Sequence, residues 1–339
     1  MRITFIIGNG FDIHIGLKSR YTDFYPYFKA NASIDNIISN WMKKDNTLWS
    51  DMELSLGRSL EKLNLEEKER FYESREELED LLCMYLEAEQ EKFQVRGKEE
   101  KYLEEFIRSI DSFSNGLSPA DKNKVNALMN ASGAESFEYT PISLNYTNCL
   151  DKVVKLAQKE KPFRSHLYRG HKILDNISGV FHAHGSIEDG IIMGVSNKSQ
   201  INNNELCEDS VFLSVFLKAR LNDGVGQLRN EQIASYINSS MIIAIYGASM
   251  GETDSYLWEQ IYRRMVVNPN VLLIFYHYED GHKTKRPNLQ RKIMRSNAIR
   301  DTFIDRVKSV GAPSDIESVK ERILISYNND LFSFNIDDK

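Results

Sequence analysis

The stretch MRITFIIGNGFDIHIGL (residues 1–17) predicts the fold, because it joins an apolar strand to a glycine turn. Residues 3–7 are apolar at successive positions, which is typical of a strand covered on both faces of a parallel sheet. Gly8 and Gly10 then expose the backbone, so a nucleotide phosphate could approach main-chain N–H groups. The third glycine of the dinucleotide fingerprint is missing, since Ile13 stands in its place. A tight turn without a ligand therefore remains an alternative.

The composition is that of a globular protein with a large core. The 339 residues are 41% hydrophobic and 27% charged, and the net charge of −6 disfavours general attraction to nucleic acids or anionic membranes. No apolar run reaches the roughly 18 residues of a membrane span. The three cysteines are dispersed, which favours a reducing compartment. We therefore expect a cytoplasmic protein that binds neither nucleic acid nor membrane directly.

Short β-like runs recur along the chain with helical patterns between them. The runs lie at residues 3–7, 142–144, 180–184, 241–246, 271–276 and 323–327. One helical face between the fourth and fifth runs carries Leu257, Trp258, Ile261, Tyr262 and Met265. Strand, helix and strand in this order form a βαβ unit. The sequence thus predicts an α/β fold with a Rossmann-like, mostly parallel sheet flanked by helices.

The interval between the first two runs has a different pattern. It contains long helical stripes of apolar side chains whose opposite faces are rich in Glu and Lys. We expect an all-α insertion at residues 35–135, within an α/β domain made of residues 1–34 and 136–339. Residues 61–105 carry 16 acidic and 8 basic side chains, a net charge of −8. This acidic surface is either a solvated helix face or a contact surface.

Two further strand ends carry polar side chains in the segments ISLNYTNCLD (142–151) and IYGASMGETDSYLW (245–258). Asn145 can both donate and accept a hydrogen bond, so it could hold a water molecule or a sugar hydroxyl. Ser249 and Asp254 could bind the hydroxyls of a ribose. The alternative in both segments is a turn that caps the following helix and binds no ligand.

The segment GVFHAHGSIEDG (179–190) places His182 and His184 two residues apart on a predicted strand, on the same side. Histidine can polarise or deprotonate a hydroxyl near neutral pH. His184 stands at the turn and is the catalytic candidate, whereas His182 could be a structural histidine. A metal site would need a third protein ligand that no neighbouring carboxylate or cysteine supplies. Glu53, in LWSDMELSLG (48–57), could project toward the sheet.

Five motifs stand in a fixed order along the chain. They are I-I-G-N-G-F-D at 6–12 with Gly16-Leu17 after it, W-x-D-x-E at 49–53, L-N-Y-T at 144–147, H-G-S at 184–186 and Y-G-x-S-x-G-E-T-D at 246–254. In this order they resemble the AbiH family of bacterial phage abortive-infection proteins, over nearly the whole chain. The resemblance implies a role in phage exclusion and no settled chemistry.

The same loops resemble, more distantly, the sirtuin-like NAD-binding domain. That resemblance implies phosphate binding by the backbone of Gly8, Asn9 and Gly10, and matches Asn145 and His184 to its asparagine and histidine. The expected NAD-binding set is Gly8, Asn9, Gly10, Phe11, Asp12, Tyr146, Thr147, Gly247, Ser249 and Asp254. The chain departs from sirtuins because it lacks the aspartate after the asparagine and any four-cysteine zinc module.

The resemblances together imply an NAD⁺ glycohydrolase that cleaves NAD to nicotinamide and ADP-ribose when infection triggers it. Asn145 and His184 are the expected catalytic residues, Glu53 and His182 are possible accessories, and no metal is expected. The acidic helical surface could meet a phage-derived trigger or a second copy of the chain. One alternative is a regulatory module that binds NAD, ADP-ribose or a nucleotide without turnover. The other is a metal-dependent nuclease or phosphatase built on His182, His184 and Glu53.

Overall fold

The computed structural model describes residues 1–44, 51–224, 226, 228–278, 289–308, 316–327 and 330–334. Within these residues, eight strands form one sheet between layers of helices. The strands of this sheet are β1 (Arg2–Ile7), β2 (Glu138–Ser143), β3 (Arg164–Tyr168), β4 (His171–Ile177), β5 (Phe181–His182), β8 (Ser240–Tyr246), β9 (Leu272–Tyr276) and β10 (Ile323–Ser326). A separate two-stranded hairpin is formed by β6 (Gly185–Ser186) and β7 (Gly190–Ile191).

Helices occupy most of the remaining described chain. They are α1 (Gly10–His14), α2 (Tyr21–Asn31), α3 (Ile37–Lys44), α4 (Met52–Ser59), α5 (Lys68–Gln90), α6 (Glu99–Asp111), α7 (Pro119–Ala131), α8 (Cys149–Lys159), α9 (Asn204–Glu208), α10 (Ser210–Phe216), α11 (Lys218–Gly224), α12 (Arg229–Ser239), α13 (Ser255–Val267), α14 (Leu289–Lys308) and α15 (Ile316–Lys320). Short 3₁₀ turns lie at Leu60–Lys62, Leu65–Glu67, Lys198–Gln200 and Glu252–Asp254. Within the described ranges, no helix combines the length and apolar character that crossing a bilayer requires.

Strand β1 lies in the middle of the sheet, whose order is β10-β9-β8-β1-β2-β4-β3. Strand β5 pairs with the last two residues of β2, after the pairing of β2 with β4 has ended. The pairs are parallel except for the β3–β4 hairpin. Along β1, Phe5 and Ile7 face one hydrophobic core and Ile6 faces another. Both faces of β1 are therefore covered, which accounts for its unbroken apolar run. The predicted α/β fold with a largely parallel sheet and flanking helices is confirmed.

All six predicted β-runs coincide with strands, but two have different bounds. Strand β2 begins at Glu138, four residues before the predicted start. The predicted run began too late because Pro141, in the middle of the strand, is typical of a strand edge or end. Strand β4 pairs with β2 only up to Tyr139 and β5 only from Ile142 on, so neither strand pairs with Pro141. The run predicted at 180–184 contains only the two-residue strand β5.

The hairpin of β3 and β4 was not predicted from the sequence. Its strands are largely polar and lie at the edge of the sheet, so they carry no apolar run. The signal that marks it is the Arg169–Gly170 turn, where both residues have positive φ, of 49° and 82°. Two such residues in succession suit the tight turn of a β-hairpin.

The described part of the 35–135 region consists of helices and loops and contains no strand, and its role as an inserted domain stays a prediction. Its helices do not share one core. Helix α6 packs on one face of the sheet, where Phe106 joins the core of Phe5. Helices α2 to α5 form a second core with α10, and this core includes Phe71 and Phe212. The division into two separate domains remains a prediction.

Candidate functional site

A cleft of about 460 Å³ opens at the carboxyl ends of β1, β2 and β8. Its volume falls within the range of small-molecule sites, roughly 300–1,000 Å³. Twelve of the residues predicted for the site line it, namely Gly8, Asn9, Gly10, Asp12, Glu53, Asn145, Tyr146, Thr147, His184, Gly247, Ser249 and Asp254. The structure thus brings the four predicted strand-end segments together, although the role of each residue stays a prediction.

Two predicted site residues lie elsewhere. The side chain of Phe11 is fully buried in the core beneath the turn, against Phe332 and Phe334, so its assignment to NAD binding is wrong. His182 does not line the cleft, because its Nε2 lies 2.8 Å from Oδ2 of Asp151. Its Nδ1 lies 3.1 Å from the carbonyl oxygen of Asn145, so His182 supports the cleft from behind.

His182 and His184 do not share a face as expected, because strand β5 ends at His182 and the alternation of side chains ends with it. Burial lowers the pKa of His182, but the hydrogen bond and the charge of Asp151 outweigh burial, so the pKa is raised. The alternative of a structural histidine therefore describes the position of His182 best.

The glycines of the first turn serve loop packing. The amide of Gly8 donates to the carbonyl of Tyr246 (2.9 Å), and the amide of Gly10 donates to the carbonyl of Gly247 (2.7 Å). A Cβ on Gly10 would lie 2.5 Å from Cα of Gly247. Gly247 itself has a φ of +65°. The expectation that the amides of Gly8 and Gly10 bind the phosphates is wrong, because both amides are already engaged by the β8 loop.

Asn9 joins the turn to the next loop. Its Nδ2 donates to the carbonyl of Ser19 at 3.0 Å, and its Oδ1 accepts a hydrogen bond from the hydroxyl of Ser19. The following residue, Arg20, lines the cleft and is exposed. The side chain of Asn9 therefore fixes the position from which Arg20 enters the site.

Two buried acceptors in the cleft wall lack a partner among the described residues. Asn145 donates through Nδ2 to the carbonyl of Gly8 at 3.2 Å, and its Oδ1 makes no hydrogen bond. Asp12 accepts from the hydroxyl of Thr147 at 2.7 Å through Oδ2, and its Oδ1 also makes none. Burial raises the pKa of Asp12 to about 7, against the hydrogen bond from Thr147 and the neighbouring side chain of Asn145, which both lower it. Unpaired buried acceptors cost about 1–3 kcal/mol each, which favours a ligand with donors at this wall.

A buried ionic network lies beside these acceptors. Nζ of Lys218 is 2.8 Å from Oε2 of Glu53 and 2.9 Å from Oδ1 of Asp254. The other oxygen of Glu53 accepts from the amide of Gly194 at 3.1 Å. Nε2 of His184 approaches Oδ1 of Asp254 to 3.0 Å, in a contact without hydrogen-bond geometry. The network connects α4 and α11 with the loops after β5 and β8.

The ring of His184 is oriented by the backbone. Its Nδ1 lies 3.2 Å from the carbonyl oxygen of Leu144. Because a carbonyl oxygen only accepts, Nδ1 carries the hydrogen of this bond. The ring therefore directs Nε2 toward Asp254, a cleft residue, and makes no hydrogen bond through it to any described residue.

The two carboxylates that share Lys218 differ in their affinity for a proton. Burial would raise the pKa of Asp254, but the charges of Lys218 and His184 outweigh it and hold the pKa well below its usual range. Burial raises the pKa of Glu53 even though Lys218 opposes the shift. Burial would lower the pKa of Lys218, and the two carboxylates raise it instead. Asp254 and Lys218 are therefore the charged pair at the centre of the network.

Helix capping does not account for the polar strand ends. Asp254 precedes α13 and Asn148 precedes α8, and neither side chain makes a capping hydrogen bond. The carboxylate of Asp254 turns to Lys218 instead. Asp51, in contrast, does cap α4 by accepting from the amide of Leu54 at 3.1 Å, while it also lines the cleft.

Lys218, Asp51 and Arg20 were not among the candidates predicted from the sequence. Lys218 stands in the segment FLKARLND, where no spacing marks it, and only tertiary packing brings two carboxylates to it. Asp51 belongs to the W-x-D-x-E motif, which could have indicated it. Trp49 of that motif lies outside the described residues.

The model of the family described as "Bacteriophage abortive infection AbiH" matches residues 4–276. The chain belongs to the AbiH family. This match runs from β1 to β9 and includes every segment that lines the cleft of this AbiH protein. No protein of curated function matches the sequence of this chain. Membership indicates a role in abortive infection by phage.

The geometry bears on the metal-dependent alternative for this AbiH protein. His182 turns to Asp151, and Glu53 is engaged by Lys218 and the amide of Gly194. Within the described residues, no three His, Cys, Asp or Glu side chains are grouped as metal ligands would be. The set of His182, His184 and Glu53 is thus not assembled as a metal centre in this part of the chain.

Proposed function

We propose that this AbiH protein is an NAD⁺ glycohydrolase that acts in the cytoplasm when phage infection triggers it. The observation that carries the proposal is the buried, unpaired Oδ1 of Asn145, a residue that lines a cleft at the carboxyl edge of a parallel sheet. Nucleotides bind at this edge in α/β folds. The distant sirtuin-like resemblance of the loops supports the same ligand, as does the agreement between predicted and observed lining residues.

The reaction needs little acid catalysis. The bond between C1′ of the ribose and the pyridine nitrogen breaks, and nicotinamide leaves as a neutral molecule with the bonding electron pair. The oxygen of a water molecule then bonds to C1′, and the proton that water loses passes to a base. Positive charge develops on the ribose in the transition state, so the protein must stabilise charge and position the water.

The cleft residues suit these tasks. Asn145 would accept a hydrogen bond from the water or from a ribose hydroxyl through Oδ1. Asp12 is the base we propose, because burial raises its pKa to about 7 and a base is most effective near the working pH. His184 would bind a ribose hydroxyl, and the ionised Asp254 behind it would stabilise the developing positive charge.

Nicotinamide release by the purified chain tests the proposal, with NAD as the substrate and with or without lysate of phage-infected cells. We expect Asn145→Ala and His184→Ala to lower the rate at least about 100-fold, the range for groups that position or polarise a substrate. The matched control is His171→Ala, since His171 is exposed on β4 and outside the cleft. Circular dichroism should show unchanged folding for all three variants.

Three results would contradict the proposal in different ways. NAD that binds in calorimetry without any nicotinamide release, even with infected lysate, would show the regulatory binding module instead. Full activity of Asn145→Ala and His184→Ala would show that other residues carry the reaction. Loss of activity on addition of excess chelator would indicate the metal-dependent alternative.

A further inference from the structure

A second cavity, of about 560 Å³, adjoins the cleft at the carboxyl ends of β8 and β9. The two cavities share six lining residues, which are Gly10, Ile13, Arg20, Gly247, Ala248 and Ser249. They are therefore neighbours across the packed glycine turn, and one elongated ligand could occupy both. This relationship deepens the proposed function, on which the inference rests.

Tyrosine rings form one wall of the second cavity, on the side away from the cleft. Tyr246 and Tyr276 are held in place, because their hydroxyls donate to the carbonyls of Leu331 (3.0 Å) and Phe113 (2.6 Å). Their ring centroids are 5.7 Å apart, in an edge-to-face arrangement. Tyr278 completes the wall and is 66% exposed, so its side chain is accessible to a ligand. Aromatic walls of this kind suit a flat nucleobase, which stacks on such rings.

Charge separates the two cavities into different environments. The cleft is lined by four carboxylates, Asp12, Asp51, Glu53 and Asp254. Among the described residues that line the second cavity, which we call the aromatic cavity, there is no carboxylate. Burial raises the pKa of Asp12, Asp51 and Glu53, and Asp254 is paired with Lys218, so apart from Arg20 the described lining of the cleft offers a phosphate no free cation. The phosphates of a ligand must therefore lie toward the boundary between the cavities.

Arg20 stands at this boundary and lines both cavities. Among the described lining residues it is the one lysine or arginine, because Lys218 is buried behind the cleft wall. Its guanidinium makes no ion pair or hydrogen bond with any residue that the structure describes, while its loop is fixed by the Asn9–Ser19 hydrogen bonds. A guanidinium binds phosphate oxygens through two parallel hydrogen bonds. The guanidinium of Arg20 therefore takes the phosphate-binding role that was predicted from the sequence for the amides of Gly8 and Gly10.

We propose that Arg20 and the aromatic cavity form a pyrophosphate and nucleobase subsite, and that the ligand is a dinucleotide that spans both cavities. Its reacting ribose lies in the acidic cleft, its pyrophosphate contacts Arg20, and its second base packs against Tyr278. A mononucleotide would fill only half of this site. The selected substrate class is therefore a dinucleotide.

Calorimetry with the full chain tests the subsite, and ADP-ribose, AMP and ribose 5-phosphate are the ligands. We expect Arg20→Ala to weaken ADP-ribose binding at least about tenfold, as loss of a charge-assisted contact does. Tyr278→Ala should weaken ADP-ribose and AMP about fivefold or more and leave ribose 5-phosphate unchanged. Tyr278→Phe keeps the ring and should bind as the wild type does. Arg96→Ala, which removes an exposed arginine outside both cavities, is the matched control.

The outcomes separate this inference from the glycohydrolase proposal. ADP-ribose that binds the wild type, Arg20→Ala and Tyr278→Ala equally well would overturn the subsite and leave the glycohydrolase proposal standing. Weaker binding by both variants, in a protein that releases no nicotinamide, would support the subsite and overturn the glycohydrolase. A wild type that binds none of the three ligands would overturn the subsite, and nicotinamide release would still decide the reaction.

Discussion

The ammonium group of Lys218 lies 2.8 Å from Oε2 of Glu53, where the two side chains are only 2% and 8% exposed. This pair joins α4, which belongs to the helical region before β2, to α11, which follows the hairpin of β6 and β7. The same ammonium holds Asp254 behind His184. A buried charge is tolerated only when it is paired, so these contacts make the cleft one structural unit.

Lys218→Met should strongly destabilise the fold, because it leaves Glu53 and Asp254 buried without their cation. We expect the free energy of unfolding, measured by urea denaturation, to fall by about 3–5 kcal/mol. The matched control is Lys68→Met, since Lys68 pairs with Asp209 at 2.8 Å on the partly exposed surface and should change stability little. Equal losses for the two variants would contradict the assigned importance of the buried network.

Gly247→Ala should lose more stability than a comparable glycine elsewhere. Gly247 and Gly97 both have positive φ, +65° and +80°, so alanine costs about 1–2 kcal/mol of backbone strain at either position. A Cβ at Gly97 meets nothing within 4 Å, whereas at Gly247 it would lie 2.8 Å from Cα of Gly10. Urea denaturation should therefore show a clearly larger loss for Gly247→Ala. A difference within error would show that the two loops separate without cost.

The sequence was a good guide where burial leaves a pattern. The six β-runs are apolar because helices cover both faces of the sheet, and polar side chains follow them where parallel strands end. The convergence of Asn145, His184 and Asp254 on one cleft could be predicted for that reason. The hairpin of β3 and β4 could not, because an edge hairpin with polar strands has no apolar run.

Pairings between distant segments leave no pattern in the sequence. Lys218 is one lysine among many until packing brings Glu53 and Asp254 to it. The sequence predicts the glycine turn, but it does not predict why glycine is needed there. The β8 loop packs against Gly8 and Gly10 only in the tertiary structure. The same limit applies to Arg20, whose place between two cavities depends on the fold of four separate loops.

Asp151→Asn should destabilise the fold in a pH-dependent way. Burial lowers the pKa of His182, but Asp151 outweighs it and raises the pKa above the ordinary value of 6.5. The stability that the charged His182 gains is therefore full below about pH 6.5, and it is lost as pH rises through the raised pKa. We expect a loss of about 2 kcal/mol at pH 5.5 and a smaller loss at pH 9, measured by urea denaturation. A loss that is the same at both pH values would contradict this account.

Asp12→Asn should stabilise the fold, in contrast to Asp151→Asn, and the gain in the free energy of unfolding should depend on pH. Burial raises the pKa of Asp12 from 3.8 to about 7, so the folded chain holds a proton between these pH values that the unfolded chain has released. The stability linked to Asp12 therefore falls as pH rises through 7, and asparagine, which stays neutral, avoids that loss. We expect a gain of about 1.5 kcal/mol at pH 5, where the unfolded chain has already released the proton, and a gain of up to about 4 kcal/mol at pH 8. Asp35→Asn, at a 91% exposed side chain, is the control without this pH dependence.

The same variant connects stability with activity. If Asp12 is the base, Asp12→Asn should release nicotinamide at least about 100-fold more slowly than the wild type while it melts at a higher temperature at pH 8. A gain in stability together with a loss of activity is typical of a residue kept for function, because its buried carboxylate destabilises the fold. Thermal denaturation and the nicotinamide assay on one preparation measure both effects. A variant that is stabilised and fully active would assign the base to another cleft residue.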